Sequence, residues 1–165
     1  MANIKKTIAL FKKWEGGFAN DPDDAGGATN SGITLTTFLH YLGQDKTVED
    51  LKKMTDEQWE YIFRKGFWNK AKCDQIEDDR IAMLVADMCW GSGSVTAIKK
   101  VQQCLGCSVD GIVGNQTLTA LNQQRHNYIF YKLWCMRYEW LHQIAKIGNN
   151  KKYLKGWLNR LDDIK

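Results

Sequence analysis

The chain has 165 residues, 44% of them apolar and 25% charged, and a net charge of +4. That is enough for one domain, or one domain with a small appendage, around an ample core. The mild positive charge suits an anionic polymer as partner, but no block of consecutive basic residues marks a nucleic-acid arm, and no nucleic-acid partner is expected. Five cysteines is an odd number without the spacing of a secreted disulfide framework, so reduced thiols are expected. Cys104 and Cys107 form a C-x-x-C without a second ligand pair, and His40, His126 and His142 lack metal spacing, so neither metal nor cofactor is expected. The longest apolar run, Ile81 to Ala86, is too short to span a membrane. The N-terminal apolar run, Ile8 to Phe11, is too short for a signal-peptide core. Synthesis in the cytoplasm without a signal peptide is therefore expected, with no stable membrane insertion.

The first predicted helix runs from Ile4 into Glu15. Ile4, Ile8 and Phe11 recur at helical spacing, and Glu15 continues their face rather than the face of Lys5, Lys6, Lys12 and Lys13. Gly16-Gly17 should stop the helix. A carboxylate among apolar neighbours at the negative end of a helix dipole should hold its proton more tightly than usual. That is the property a general acid requires.

Residues 20–32 follow, with the chain's single proline, three glycines and three aspartates, a composition for turns or a small β-hairpin near residues 18–33. Thr34 reads as an N-cap before Leu35, Phe38, Leu39 and Leu42, with Gly43 as the stop. Thr47 opens a short helix to Met54. Thr55 and Gln58 have capping-box spacing ahead of Trp59, Ile62 and Phe63, and Gly66 should close that helix. Residues 79–90 are apolar nearly all round and should be central, with Asp87 the exception that needs a partner or a role. Gly91-Ser92-Gly93-Ser94 should break the chain. Val95, Ile98, Val101 and Leu105 mark a further helix, stopped at Gly106 and followed by the turn Asp110 to Gly114. Thr117, Leu118 and Leu121 start another helix. A long aromatic helix spans about Arg125 to Ile147, and a last one carries Tyr153, Leu154, Trp157, Leu158 and Leu161. The fold class is mainly α.

Two constellations resemble a known family. Glu15-Gly16-Gly17-Phe18, Asn20-Asp21-Pro22, Gly26-Gly27, Thr29-Asn30 and Gly32-Ile33-Thr34 resemble the N-acetylmuramidases of glycoside hydrolase family 108. Val101-Gln102, Leu105-Gly106, Asp110-Gly111, Val113-Gly114, Thr117-Leu118 and Lys155 to Arg160 resemble the peptidoglycan-binding segment that accompanies them. The resemblance implies a lysozyme-like helical fold, with residues 1–93 as catalytic part and 94–165 as a peptidoglycan-binding segment packed with it as one unit. It implies hydrolysis of the β-1,4 bond after N-acetylmuramic acid in bacterial cell-wall peptidoglycan, without a cofactor, with Glu15 on the family's proposed catalytic residue.

Phage-type lysozymes carry a Glu-x8-Asp-x5-Thr pattern that, laid on this chain without gaps, falls on Glu15, Asp24 and Asn30. The Asn departs from the pattern, and it can still hydrogen-bond a water or a sugar. Catalysis is assigned to Glu15 as the acid and to a loop aspartate as the second carboxylate, Asp24 preferred over Asp21 and Asp23, and substrate or water contacts to Asp21, Thr29, Asn30, Thr34 and Asp87. A lytic transglycosylase and a non-catalytic wall binder stay open as alternatives. A monomer is expected, acting at the wall or in the periplasm after release. Wall-lytic chains without a signal peptide include phage and prophage endolysins exported through a holin, and other members of the family carry the label of secretion activator.

Overall fold

The structure, a computed structural model, describes residues 1–20, 27–123 and 125–164. Its frame is α5 (Asp79–Ser92), around which the other elements collect. These are α1 (Ile4–Trp14), the hairpin β1 (Thr29–Asn30) and β2 (Ile33–Thr34), α2 (Leu35–Leu42), α3 (Val48–Lys52), α4 (Asp56–Phe63), α6 (Ser94–Leu105), α7 (Asn115–Leu121), α8 (His126–Ile144) and α9 (Leu154–Asp162). The class is mainly α, with one two-stranded antiparallel sheet among the described residues. None of the described helices is long and apolar enough to cross a membrane.

Helix α5 buries Ile81, Ala82, Leu84, Val85, Ala86, Met88 and Cys89, which is why its sequence is apolar almost all round. Asp78 caps its start by accepting from the N–H groups of Arg80 and Ile81. Helix α1 contributes Ile4, Ile8 and Phe11 to the same core. Phe11, Trp59, Phe63, Phe67 and Trp90 then form one aromatic cluster, with ring centroids 4.9 Å apart for Phe11 and Phe63 and 5.4 Å for Trp59 and Trp90. Each such pair adds about 0.5–1.5 kcal/mol beyond the burial itself. This cluster underlies the end of α1.

The expected caps form. Thr34 accepts from Thr37 N–H, and both Thr47–Asp50 and Thr55–Gln58 close as capping boxes. Three glycine readings are corrected. Gly16 and Gly17 are not left-handed, and α1 ends because Glu15 itself turns extended, at φ −81° and ψ 135°. Gly66 does not close α4. The chain continues through a π-turn at Arg64–Trp68, and a Cβ on Gly66 would lie 3.1 Å from the Tyr41 hydroxyl. Gly91 and Ser92 stay inside α5, and only Gly93, at φ 78°, breaks the helix.

In the C-terminal half, the Asp110-Gly111 turn is held by the buried Gln102. Its Nε2 donates to Asp110 Oδ1 at 2.7 Å and Ile112 O at 3.0 Å, and its Oε1 accepts from Gly111 N–H at 2.9 Å. These motif residues secure a turn against α6. The aromatic stripe of α8 divides: Phe130 and Trp140 are buried, whereas Tyr128, Tyr131 and Tyr138 face outward.

Candidate active site

Glu15 is the C-cap of α1, its N–H still bonded to Phe11 O at 3.0 Å. The extended backbone drops its side chain onto the aromatic cluster, where it is 11% exposed. Oε1 accepts from Trp90 Nε1 at 2.8 Å and from Arg160 Nη1 at 3.1 Å. Oε2 accepts from none of the described residues. Burial raises the carboxyl's pKa above the ordinary value. Arg160 and the Trp90 donor pull the other way, Asp87 adds to the rise, and the net shift is upward.

The hairpin delivers the opposite wall. Thr29 pairs with Thr34 and Asn30 with Ile33, leaving Ser31-Gly32 as a two-residue turn. Both turn residues have positive φ, 47° and 74°, as a type I′ turn requires. Trp59 Nε1 donates to Ser31 O at 2.9 Å and ties the turn to α4. A Cβ on Gly32 would lie 2.1 Å from Glu15 Oε2 and 2.6 Å from Trp90 Cζ2, so the turn fits over the carboxyl only because this residue lacks a side chain.

Beneath Glu15 lies a charge network drawn from three helices. Asp87, 2% exposed, lies 2.9 Å from Arg137 Nη2 and accepts from its Nε at 3.0 Å. Arg160 Nε lies 2.7 Å from Asp87 Oδ1, an ion pair rather than an aligned hydrogen bond. Burial opposes the charge on Asp87, but Arg160 and Arg137 outweigh it and hold the carboxyl below its usual range. Arg160 therefore bridges a buried aspartate and Glu15, and α8 and α9 fix the environment of a residue on α1. Gly91 leaves room for Arg137, since a Cβ there would lie 2.9 Å from Nη2.

Two clefts open beside Glu15. One, of about 220 Å³, is lined by Lys12, Ser31, Met54, Thr55, Asp56 and Trp59. The other, of about 460 Å³, lies between residues 14–16 and the segment carrying Lys152, Tyr153, Gly156, Trp157 and Arg160.

The expected site residues fare differently. Asp21 and Asp24 lie outside the described residues. Thr29 is half-buried in β1. Asn30 is buried, and its amide nitrogen donates to Leu51 O at 2.8 Å and Lys52 O at 3.2 Å, so its donors fasten the hairpin to α3. Thr34 spends its hydroxyl on Thr37 as the cap of α2. Asp87 is enclosed beneath Arg160. Sequence reasoning had not singled out Trp90, Arg160 and Arg137. The one signal for Arg160 was its place at the end of the Lys155–Arg160 motif.

The site is thus a buried carboxyl with a raised pKa, two side-chain donors on one oxygen and a cleft on either side. A family model described as Glycosyl hydrolase 108 matches residues 8–93. The chain belongs to glycosyl hydrolase family 108. This hydrolase acts on peptidoglycan as an N-acetylmuramidase of the lysozyme type, cleaving between N-acetylmuramic acid and N-acetylglucosamine. A second model, described as Predicted Peptidoglycan domain, matches residues 96–162, which makes peptidoglycan its substrate partner. The hydrolase's fold is similar to that of Brucella abortus SagA, with 30% sequence identity, a TM-score of 0.81, and coverage of 97% of this chain and 92% of that one. No curated protein matches the sequence.

Proposed function

We propose that Glu15 is the general acid of this muramidase and that Oε2 carries the proton. The observation behind this reading is the asymmetry of the carboxyl. Both donors, Trp90 and Arg160, address Oε1, which leaves Oε2 as the hydroxyl oxygen. Burial raises the pKa of Glu15 and so favours the protonated form. As it passes to the glycosidic oxygen and the C1–O bond breaks, the negative charge left on Glu15 meets a guanidinium and an indole N–H already in place. The groups that would lower the pKa thus act on the product of proton transfer. Asp24 takes the second carboxylate role, stabilising the cation at C1 or activating the water. Residues 1–93 supply the acid and 94–165 its electrostatic support, as one monomeric unit that reaches the wall after holin-dependent release.

The test is mass analysis of the products from purified peptidoglycan, with wild type, Glu15→Gln and Asp24→Asn. Wild type should release reducing muramic ends. Glu15→Gln should release none while keeping its fold, and Asp24→Asn should lose most activity. Retained hydrolysis by Glu15→Gln rejects the assignment, and anhydro-muramic ends from wild type would move the chemistry to a transglycosylase.

A further inference from the structure

The larger of the two clefts takes most of its lining from the C-terminal half, and that lining has features that neither the fold nor the acid explains. Gly156 lies within α9, where glycine is less favourable than alanine by about 1 kcal/mol. Its φ is not positive, and a Cβ there would meet no atom within 4 Å. Gly16, across the cleft, is the same in both respects. Neither backbone geometry nor packing demands a glycine at either position. Both leave bare backbone in the lining of the cleft that Glu15 also lines.

The rest of the lining is aromatic and cationic. Tyr153, 45% exposed, and Trp157 have ring centroids 5.9 Å apart and tilted by 31°. Trp14 is held by its Nε1 donating to Asp163 Oδ2 at 2.7 Å. Lys152 lies 4.9 Å over the Tyr153 ring and, among the described residues, forms no ion pair. An open slot with π-faces, bare backbone and an unpaired ammonium suits a sugar ring that carries a carboxylate.

We propose that this cleft is a saccharide subsite of the catalytic groove. Tyr153 and Trp157 receive the face of one ring, and Lys152 meets a carboxylate borne by that ring. On a peptidoglycan strand the carboxylate comes from the lactyl group or from the stem peptide. The C-terminal half thereby holds the strand at the reacting bond instead of tethering the enzyme to the wall from a distance. The inference rests on the reading that the strand is cleaved beside Glu15.

The experiment measures binding by calorimetry in the Glu15→Gln protein, which reads the cleft whether or not Glu15 is the acid. Three soluble probes are compared: strands with stem peptides, the same strands stripped of peptide so that lactyl carboxylates are free, and N-acetylglucosamine oligomers of equal length. Gly156→Leu fills the slot and improves helix propensity, so its melting temperature should hold or rise. It should weaken all three probes by about tenfold. Lys152→Ala should weaken the carboxylate-bearing strands by about two- to fivefold and spare the neutral oligomers. Loss on stripped strands assigns the contact to the lactyl group, and loss confined to intact strands assigns it to the stem peptide. Unchanged binding in Gly156→Leu, or equal weakening of charged and neutral probes in Lys152→Ala, would overturn the proposal. Hydrolysis retained by Glu15→Gln would remove the acid's role and leave the binding result standing.

Discussion

Replacing Gly32 with alanine tests how tightly the hairpin is fitted to the acid. The new Cβ would sit 2.1 Å from Glu15 Oε2, where ordinary contact begins at 3.4 Å. The carboxyl or the turn must therefore shift by about 1 Å. Trp90 blocks the simplest escape, because its Cζ2 is 2.6 Å from the same point. The left-handed φ of 74° adds about 1–2 kcal/mol of strain for an alanine. A misplacement of about 1 Å in a catalytic group can lower the rate by about a hundredfold. Gly32→Ala should lose roughly that factor in wall lysis, together with a few degrees in melting temperature. Gly17→Ala, where a Cβ meets nothing within 4 Å and φ is not positive, serves as the control. The assays are turbidity clearing of purified walls and a thermal melt. A Gly32→Ala enzyme with wild-type lysis and stability would refute the close fit of turn, indole and carboxyl.

The remaining predictions concern charge. Asp87→Asn removes the anion between two guanidiniums and should destabilise the fold by about 3–5 kcal/mol, measured by denaturant unfolding. Because the folded pKa of Asp87 is depressed, this difference should be full above its ordinary value of 3.8 and shrink as acid protonates the wild type. Glu15 has the opposite sign: its folded pKa is raised, so ionising it weakens the fold as pH climbs from 4.5 through the folded value. Glu15→Gln, a neutral mimic that still offers an oxygen to Trp90 and Arg160, should match or exceed the wild-type melting temperature at pH 7. A clear loss there would contradict the burial argument. Lysis should decline as salt rises past about 0.15 M, where the Debye length is about 8 Å, and activity flat across that range would deny the net positive charge a role in wall attraction.

Much of the scaffold was readable because it is local. Thr34, Thr47 and the Thr55–Gln58 pair act within three residues of themselves, and the apolar wheel of residues 79–90 announces a buried helix. Glu15 was readable for the same reason, since it continues the face of Ile8 and Phe11. Its partners were not. Trp90 and Arg160 stand 75 and 145 residues away, and no periodicity links a C-terminal arginine to an N-terminal carboxylate. Glycines misled where close approach mattered more than chain direction: Gly66 makes room for Tyr41 and Gly91 for Arg137, so neither ends a helix. Asn30 looked free for substrate, but the carbonyls of Leu51 and Lys52, absent from any sequence pattern, claim its amide donors.

The most direct test of the account is the titration of Glu15 itself. Carbon-13 spectra of the side-chain carboxyls, with the Glu15 signal identified by its absence in Glu15→Gln, give its midpoint without assuming a mechanism. A midpoint clearly above the ordinary glutamate value of 4.5, rising further when Trp90→Phe removes the indole donor to Oε1, is the predicted result. A midpoint at or below 4.5 would mean that Arg160 outweighs burial, that the resting enzyme holds a carboxylate, and that Glu15 has no proton to give at neutral pH.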